Sequence, residues 1–119
     1  MKKVLLLCAL MCTAGQMYGN LNQKLMHAFE ENDTFDARMA IKQGAQISHN
    51  PDDFYTAENF MSVAIANPNL ELVKIVLANG PKDRSIYKAH LEALKRQMES
   101  DNPVYREFAP KAYALISND

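Results

Sequence analysis

The chain has 119 residues, a length that allows one domain of ordinary size and little more. Hydrophobic residues make up 48% of it and charged residues 23%, a globular composition that excludes collagen-like or largely disordered chains. The formal net charge of −1 argues against a dedicated nucleic-acid-binding protein, because such proteins carry a strong basic excess.

The N-terminus has the pattern of a secretory signal peptide. Two lysines precede nine apolar residues at 4–12, and small residues follow at 13–15. Nine apolar residues are too few to cross a hydrocarbon core, which needs about 20. We therefore expect residues 1–19 to be cleaved off, at a site between 14 and 19. Residues 20–119 would then form a periplasmic or secreted domain without stable membrane insertion.

Both cysteines, Cys8 and Cys12, lie inside the predicted signal peptide. The mature chain would therefore contain no disulfide, no reactive thiol and no cysteine zinc site. A lipid anchor on Cys12 is the alternative to release. Ala9 and Met11 fit the residue pattern of a lipoprotein poorly, so we favour the released form.

The first two predicted helices are short and apolar on one face. Leu21, Leu25, Ala28 and Phe29 follow helical spacing within 21–31. After polar residues that can cap a helix, a second helix runs from 35 to Gly44, the residue type best suited to a left-handed helix end. Its apolar positions include Met39, which we assign to the core together with Met26, Met61 and Met98.

A polar, punctuated loop is predicted over residues 45–58, followed by a second pair of helices at 59–66 and 70–77. Asn67-Pro68-Asn69 forms the tight turn between them. The 70–77 segment is almost wholly apolar, which predicts a central, buried helix that ends at Gly80-Pro81.

The last two predicted helices begin after Ser85, which can cap the first, and at Asn102-Pro103. Pro110 lies inside the final apolar face and predicts a kink or a break there. No useful strand-type alternation occurs anywhere, so the fold class is all-α.

Two segments of the chain end alike. Ile41-Lys42-Gln43-Gly44 and Leu77-Ala78-Asn79-Gly80 are 36 residues apart, and each follows a helix, a turn and a second helix. Such self-similarity is the signature of a helical repeat.

The second copy, residues 59–80, resembles the ankyrin repeat family. Ala64 stands where that family has its helix-packing alanine, residues 70–77 match its second helix, and Asn79-Gly80 matches its terminating pair. The first copy is weaker but in register, with residues 44–48 resembling the closing segment. The resemblance covers residues 21–80, about half of the chain.

The chain also departs from the family pattern. The opening Thr-Pro-Leu-His is absent, and Asn32 and Pro68 replace the glycine between the helices. The 36-residue spacing exceeds the usual period of about 33, which implies extra residues in the loop.

The resemblance implies a short solenoid of stacked helix pairs that binds another protein through its inter-repeat loops and its inner helix surface, without catalysis or a cofactor. Residues 85–117 would supply a degenerate third repeat or a C-terminal cap, since about three repeats are needed for stability. An unrelated helical bundle with two similar hairpins is the alternative. We expect a monomer.

The common catalytic and nucleotide-binding motifs are absent from the sequence. His27 precedes Glu30 and Glu31 at helical spacing, which could form a metal or acid–base pair but is more typical of a solvated charged face. His90, near Arg84, Lys88 and Glu92, is expected on the polar edge of the fifth helix.

The 45–58 loop carries the candidate partner-binding residues, because loops between such repeats project and contact partners. His49, Asp52 and Asp53 offer polar contacts, and Phe54 and Tyr55 offer aromatic anchors. The alternative for the two aromatics is that they fold back and close the core.

Charge suggests a second function for the same fold. Residues 20–73 carry three basic and eight acidic side chains, and residues 74–119 carry eight basic and six acidic ones. An acidic front half could plug a basic enzyme site, as in an inhibitor or immunity-type protein. A metal-handling protein using His49, Asp52 and Asp53 is a further alternative.

Overall fold

The computed structural model describes residues 14–50 and 52–118, with side chains from residue 21 onward. The first 13 residues of the predicted signal peptide, both cysteines included, lie outside this part of the chain. The described residues form six α-helices and one 3₁₀ turn. Their bounds are α1 Ala14–Glu30, α2 Thr34–Gln43, α3 Ala57–Ala66, α4 Leu70–Asn79, the 3₁₀ turn Arg84–Tyr87, α5 Lys88–Met98 and α6 Pro103–Ser117.

The predicted all-α class is confirmed in the described residues, where the only β-type pairing is an isolated bridge between Ser48 and Thr56. None of the described helices is long and apolar enough to cross a membrane. The helix α1 begins at Ala14, seven residues before the predicted start at Leu21, and thus includes the region of the expected cleavage site.

Short polar residues set the helix ends in the first two pairs. The Asp33 side chain accepts a hydrogen bond from the Asp36 N–H and starts α2, and Asn69 does the same for α4. Gly44 ends α2 with φ 117°, a left-handed conformation in which a side chain would be strained. The predicted turn at residues 67–69, which lies between α3 and α4, and the predicted end of α2 at Gly44 are therefore confirmed.

The start of the C-terminal pair differs from the prediction. Asp83, not Ser85, is the capping residue, because its Oδ1 accepts both the N–H and the hydroxyl proton of Ser85. This local turn produces the 3₁₀ segment and delays α5 to Lys88. Asn102 and Pro103 do begin α6 as predicted.

Pro110 does not break α6, which is continuous from Pro103 to Ser117. Proline removes one backbone donor, which leaves the carbonyl of Arg106 without its usual intrahelical partner. Both residues lie on the exposed side of the helix, where water can bond to that carbonyl. Of the predicted kink or break, the break is therefore wrong, and the kink stays a prediction.

The helices pack as three hairpins in two layers. In one layer α1 contacts α3 and α3 contacts α5, and in the other α2 contacts α4 and α4 contacts α6. The first and second hairpins share one period, because α1 and α3 end at Glu30 and Ala66, and α2 and α4 begin at Thr34 and Leu70. Both differences are 36 residues, the spacing of the two glycines.

The core lies between the layers and between successive hairpins. Phe29 and Phe60 meet edge to face with ring centroids 5.0 Å apart, and they join α1 to α3. The helix α4 is buried through Leu72, Val73, Ile75 and Val76, as predicted for the central helix. Three of the four predicted core methionines follow the prediction, with Met26 and Met61 buried and Met98 partly buried against the core.

Met39 was predicted in the core, and this prediction is wrong. The buried positions of α2 are Ala37 and Ala40, whereas Phe35 and Met39 lie one turn apart on the opposite face. Phe35 is 69% exposed and Met39 is 37% exposed. The small alanines let α2 pack closely, and the larger apolar side chains remain outside.

Candidate partner-binding loop and the cleft behind it

The loop between α2 and α3, residues 45–56, is tied down at both ends. At its start Ala45 and Ile47 are buried, and the Ser48 N–H donates to the Tyr55 carbonyl at 2.7 Å. At its far end the buried Thr56 caps α3 by accepting from the Asn59 N–H at 3.3 Å. These anchors hold the tip of the loop at a defined position on the helix pairs.

Polar side chains shape the tip by bonding to their own backbone. The Asn50 N–H donates to Ser48 Oγ at 3.1 Å, and the Asp52 N–H donates to Asn50 Oδ1 at 3.0 Å. The Tyr55 N–H donates to Asp53 Oδ1 at 3.1 Å. Turns of this type hold the described loop residues, 45–50 and 52–56, through their own side chains.

The five predicted partner-binding residues do not all face solvent. His49, Asp52, Asp53 and Phe54 are exposed at the tip, and Phe54 is 60% exposed despite its large apolar ring. Tyr55 is half-buried and packs on the core. Its ring lies 5.1 Å from that of Phe54 and 6.4 Å from that of Phe60. Each of the two alternatives for the aromatics therefore holds for one residue. Phe54 projects into solvent, and Tyr55 folds back onto the core.

The loop does not assemble a metal-ligand set. Within residues 14–50 and 52–118, no three His, Cys, Asp or Glu side chains come together as a group that could hold a metal ion. His49, Asp52 and Asp53 share the loop tip, but Asp53 Oδ1 is already bonded to the Tyr55 N–H. The geometry gives no support to the metal-handling alternative.

An open cleft of about 570 Å³ lies behind the loop. The loop supplies most of the described lining, including Ser48, His49 and Asp53, and the other described lining residues are Asn22 of α1 and Asn79 of α4. Asn22 Oδ1 accepts a bond from the Gln46 N–H at 2.9 Å, which fixes this amide against the loop. No sequence pattern predicts that Asn22 and Asn79 share a site, because they are far apart in the chain.

A second polar cluster joins α3 to α5 and was not predicted. His90 Nε2 lies 3.0 Å from both Ser62 Oγ and the Glu58 carbonyl oxygen. His90 is therefore partly buried against α3 and does not lie on an open polar edge of α5, contrary to the prediction. The predicted helical spacing was right, but the contact with α3 depends on hairpin packing.

The serine–histidine pair is not arranged for nucleophilic catalysis. A carbonyl oxygen can only accept, so the bond to Glu58 requires Nε2 to carry a proton. A protonated Nε2 cannot take the proton of Ser62, whose hydroxyl donates to the Glu58 carbonyl at 3.0 Å. Burial lowers the pKa of His90, with opposition from the Glu58 carbonyl and its charge, so the ring is held neutral.

The turn between α1 and α2 gathers acidic groups. Glu30, Glu31 and Asp36 are exposed and Asp33 is half-exposed. The pKa of Asp36 is raised, chiefly by its hydrogen bond to Asp33 and by that neighbour's charge. His27 is exposed one turn earlier, in agreement with a solvated charged face.

Comparisons with known proteins do not assign the chain to a family. No protein-family model, curated protein or solved structure matches it. The resemblance to ankyrin repeats rests on the residues and the helix pattern alone.

Proposed function

We propose that this chain is an exported, non-catalytic protein-binding module with an ankyrin-like stack of helix pairs. It binds its partner through the 45–56 loop and the adjoining inner surface of the layer formed by α1, α3 and α5. The observation that carries the proposal is Phe54, a large apolar ring that is 60% exposed beside loop residues whose backbone is hydrogen-bonded. Exposed aromatics flanked by polar groups are typical anchors of protein interfaces.

The hairpin arrangement supports the ankyrin-like part of the proposal. Successive hairpins are joined at corresponding turns, where Asn67 Nδ2 donates to the Phe29 carbonyl and Asn69 Nδ2 donates to Asn32 Oδ1. The shared 36-residue period of the helix ends and the two-layer order are what a repeat stack requires. On this view, α5 and α6 act as the C-terminal cap.

The hydrogen bonds of the described loop residues support the binding role. Ordering a mobile loop opposes binding, and a loop that is already held in shape avoids much of that entropy loss. Tyr55 assists by packing on Phe60 and by supporting the Phe54 ring edge to face. Tyr55 therefore positions the anchor, and Phe54 provides the contact.

An inhibitor or immunity-type role is the second candidate. It is favoured by the acidic turn of Glu30, Glu31, Asp33 and Asp36, which presents several carboxylates on one exposed surface. Such a surface would attract and block a basic active site. This role would use α1–α2 rather than the 45–56 loop, so variants can separate the two.

Affinity capture tests the proposal. The mature chain from Asn20, tagged at its C-terminus, is incubated with a periplasmic extract of the source organism. Phe54→Ala is the test variant and Phe35→Ala is the matched control, since both remove an exposed phenylalanine. Tyr55→Ala is avoided because Tyr55 is half-buried and its loss could unfold the loop.

We expect one stoichiometric partner that is retained by Phe35→Ala and lost by Phe54→Ala. A partner that is instead lost when Asp33 and Asp36 are replaced by asparagine, and that has enzymatic activity, would favour the inhibitor role. Capture of no protein by a bait with normal helical circular dichroism would overturn the interaction proposal.

A further inference from the structure

The cleft behind the 45–56 loop presents both hydrogen-bond donors and acceptors. Asn22 uses its Oδ1 on the loop backbone, so its Nδ2 can donate to a ligand. Asn79 donates its Nδ2 to the Ile75 carbonyl at 2.8 Å, so its Oδ1 can accept. A donor and an acceptor from outside the loop therefore line the cleft.

A hydrogen-bond donor and an acceptor side by side can bind the main chain of an extended peptide. Each residue of an extended chain offers one N–H and one C=O, which a side-chain amide can accept and donate to. The buried Ala45 and Ile47 add apolar lining to the same cleft. The cleft is open and lies directly beside the loop tip, so a segment of a larger protein can enter it.

The charge of the cleft indicates which side chains a bound peptide segment would carry. Asp53 lines the cleft, and its Oδ1 is held by the Tyr55 N–H, which leaves the second carboxylate oxygen for a ligand. The described lining residues include no Lys or Arg to balance this charge or to bind a phosphate. The neighbouring Asp52 adds a second exposed carboxylate. A cationic side chain is therefore favoured over an anionic one.

We propose that the cleft binds an extended, basic peptide segment of the partner protein. The main chain of the segment bonds to the amides of Asn22 and Asn79, and a Lys or Arg side chain pairs with Asp53. Next to Asp53, the exposed Phe54 ring contacts the flanking residues of the same segment. This inference rests on the proposed function, since it assigns the partner chemistry of the same loop.

The test uses a displayed library of short random peptides, selected on the mature chain. Selected peptides are then synthesised, labelled and titrated by fluorescence polarisation. Asp53→Asn removes the charge and replaces the second carboxylate oxygen by an amide donor, while it keeps an Oδ1 for the Tyr55 N–H. Asp101→Asn removes an exposed carboxylate outside both proposed binding surfaces and is the matched control.

We expect the selected peptides to be rich in Lys or Arg and to bind Asp53→Asn at least about tenfold more weakly. Asp101→Asn should bind them as the unaltered chain does. In two-dimensional NMR, the side-chain amide signals of Asn22 and Asn79 should shift on binding. Both shifts would place the peptide in the cleft, which a purely surface charge effect could not do.

Three results would overturn the inference: no enrichment, enrichment of acidic or uncharged peptides, or full affinity of Asp53→Asn. A parallel titration with neutral saccharides covers the other polar ligand class, and saccharide binding without peptide enrichment would also overturn it. If affinity capture still yields a Phe54-dependent partner, only the inference fails. If capture fails as well, the proposed function fails with it.

Discussion

The side-chain amide of Asn69 donates to Asn32 Oδ1 at 2.6 Å, which joins the turns of the first two hairpins. Its Nδ2 also lies 3.1 Å from Thr34 Oγ1. Its Oδ1 accepts from the N–H groups of Glu71 and Leu72 and so begins α4. One side chain therefore caps a helix and fixes the register between two hairpins.

Replacing Asn69 should separate these two roles. Asn69→Ala removes the cap and the bonds between turns, and we expect the free energy of unfolding to fall by about 1–2 kcal/mol or more. Asn69→Asp keeps a capping oxygen but has no amide to donate to Asn32. Its stability, measured by urea denaturation followed by circular dichroism, should lie between those of Asn69→Ala and the unaltered chain. Equal stability of Asn69→Asp and the unaltered chain would contradict a role for the bond between turns.

The sequence predicted the hairpins well because the residues that start and end helices act locally. Asn69, Gly44 and Asn102-Pro103 each set a helix end through their own backbone or side chain. Periodicity also gave the buried side of α4. It failed for Met39, because the small residues Ala37 and Ala40 turn inward in α2 and a larger side chain does not.

The candidate site was predictable only where it is local. The polar loop tip follows from a short run of the sequence, whereas the exposure of Phe54 was one of two open alternatives and the cleft depends on which helices lie beside the loop. Asn22 occupies an ordinary helical position and Asn79 stood out only as part of a helix-ending pair, so no sequence pattern brings the two together. The same holds for His90 and Ser62, whose contact exists only because α5 packs on α3.

Tyr87 carries a buried hydroxyl that has no hydrogen-bond partner among the described residues. The side chain is fully buried, and burial raises its pKa to about 12. Removing an unsatisfied buried polar group recovers the free energy that its desolvation costs. We expect Tyr87→Phe to raise the free energy of unfolding by about 1 kcal/mol, as measured by urea denaturation. A loss of stability would mean that the hydroxyl is satisfied, for example by an internal water.

Gly80 lies against that hydroxyl and has no room for a side chain. A Cβ there would stand 2.8 Å from the Val76 carbonyl oxygen and 3.1 Å from Tyr87 Oη. We expect Gly80→Ala to lower the free energy of unfolding by about 1–3 kcal/mol, as overpacking usually does. In the Tyr87→Phe background the loss should be smaller but not zero, because the contact with Val76 persists. A double-mutant cycle measures this coupling, and strict additivity would contradict it.

His90 should make stability depend on pH in the acidic range. Burial lowers its pKa below the ordinary 6.5, so the unfolded chain binds a proton more readily than the folded chain. Stability from this residue is complete above about pH 6.5 and is lost as the pH falls through the folded-state pKa. The cause is that a second proton would sit on Nδ1, which is buried without a partner among the described residues.

Substitution of His90 isolates this effect. His90→Gln keeps a donor for the Glu58 carbonyl but cannot titrate, so its stability should fall less between about pH 8 and about pH 5. His27 and His49 are exposed and present in both proteins, so their contributions cancel. Thermal unfolding at several pH values gives the comparison. Parallel pH profiles for the two proteins would show that His90 is not held neutral by the fold.

Arg84 ties the start of the C-terminal hairpin to its end. Its Nη1 lies 2.9 Å from the Leu115 carbonyl oxygen, 3.1 Å from that of Ile116 and 3.0 Å from that of Asn118. A cation at the C-terminus of α6 also interacts favourably with the helix dipole.

We expect Arg84→Met, which keeps much of the apolar stem, to lower the free energy of unfolding by about 1–3 kcal/mol. Hydrogen exchange should then rise at the last turn of α6, while the Asn69-linked hairpins keep their protection. Arg84→Lys retains the charge but has a shorter reach, and its exchange at this turn should be intermediate. Unchanged protection of the last turn in Arg84→Met would show that α6 is held by its buried face alone.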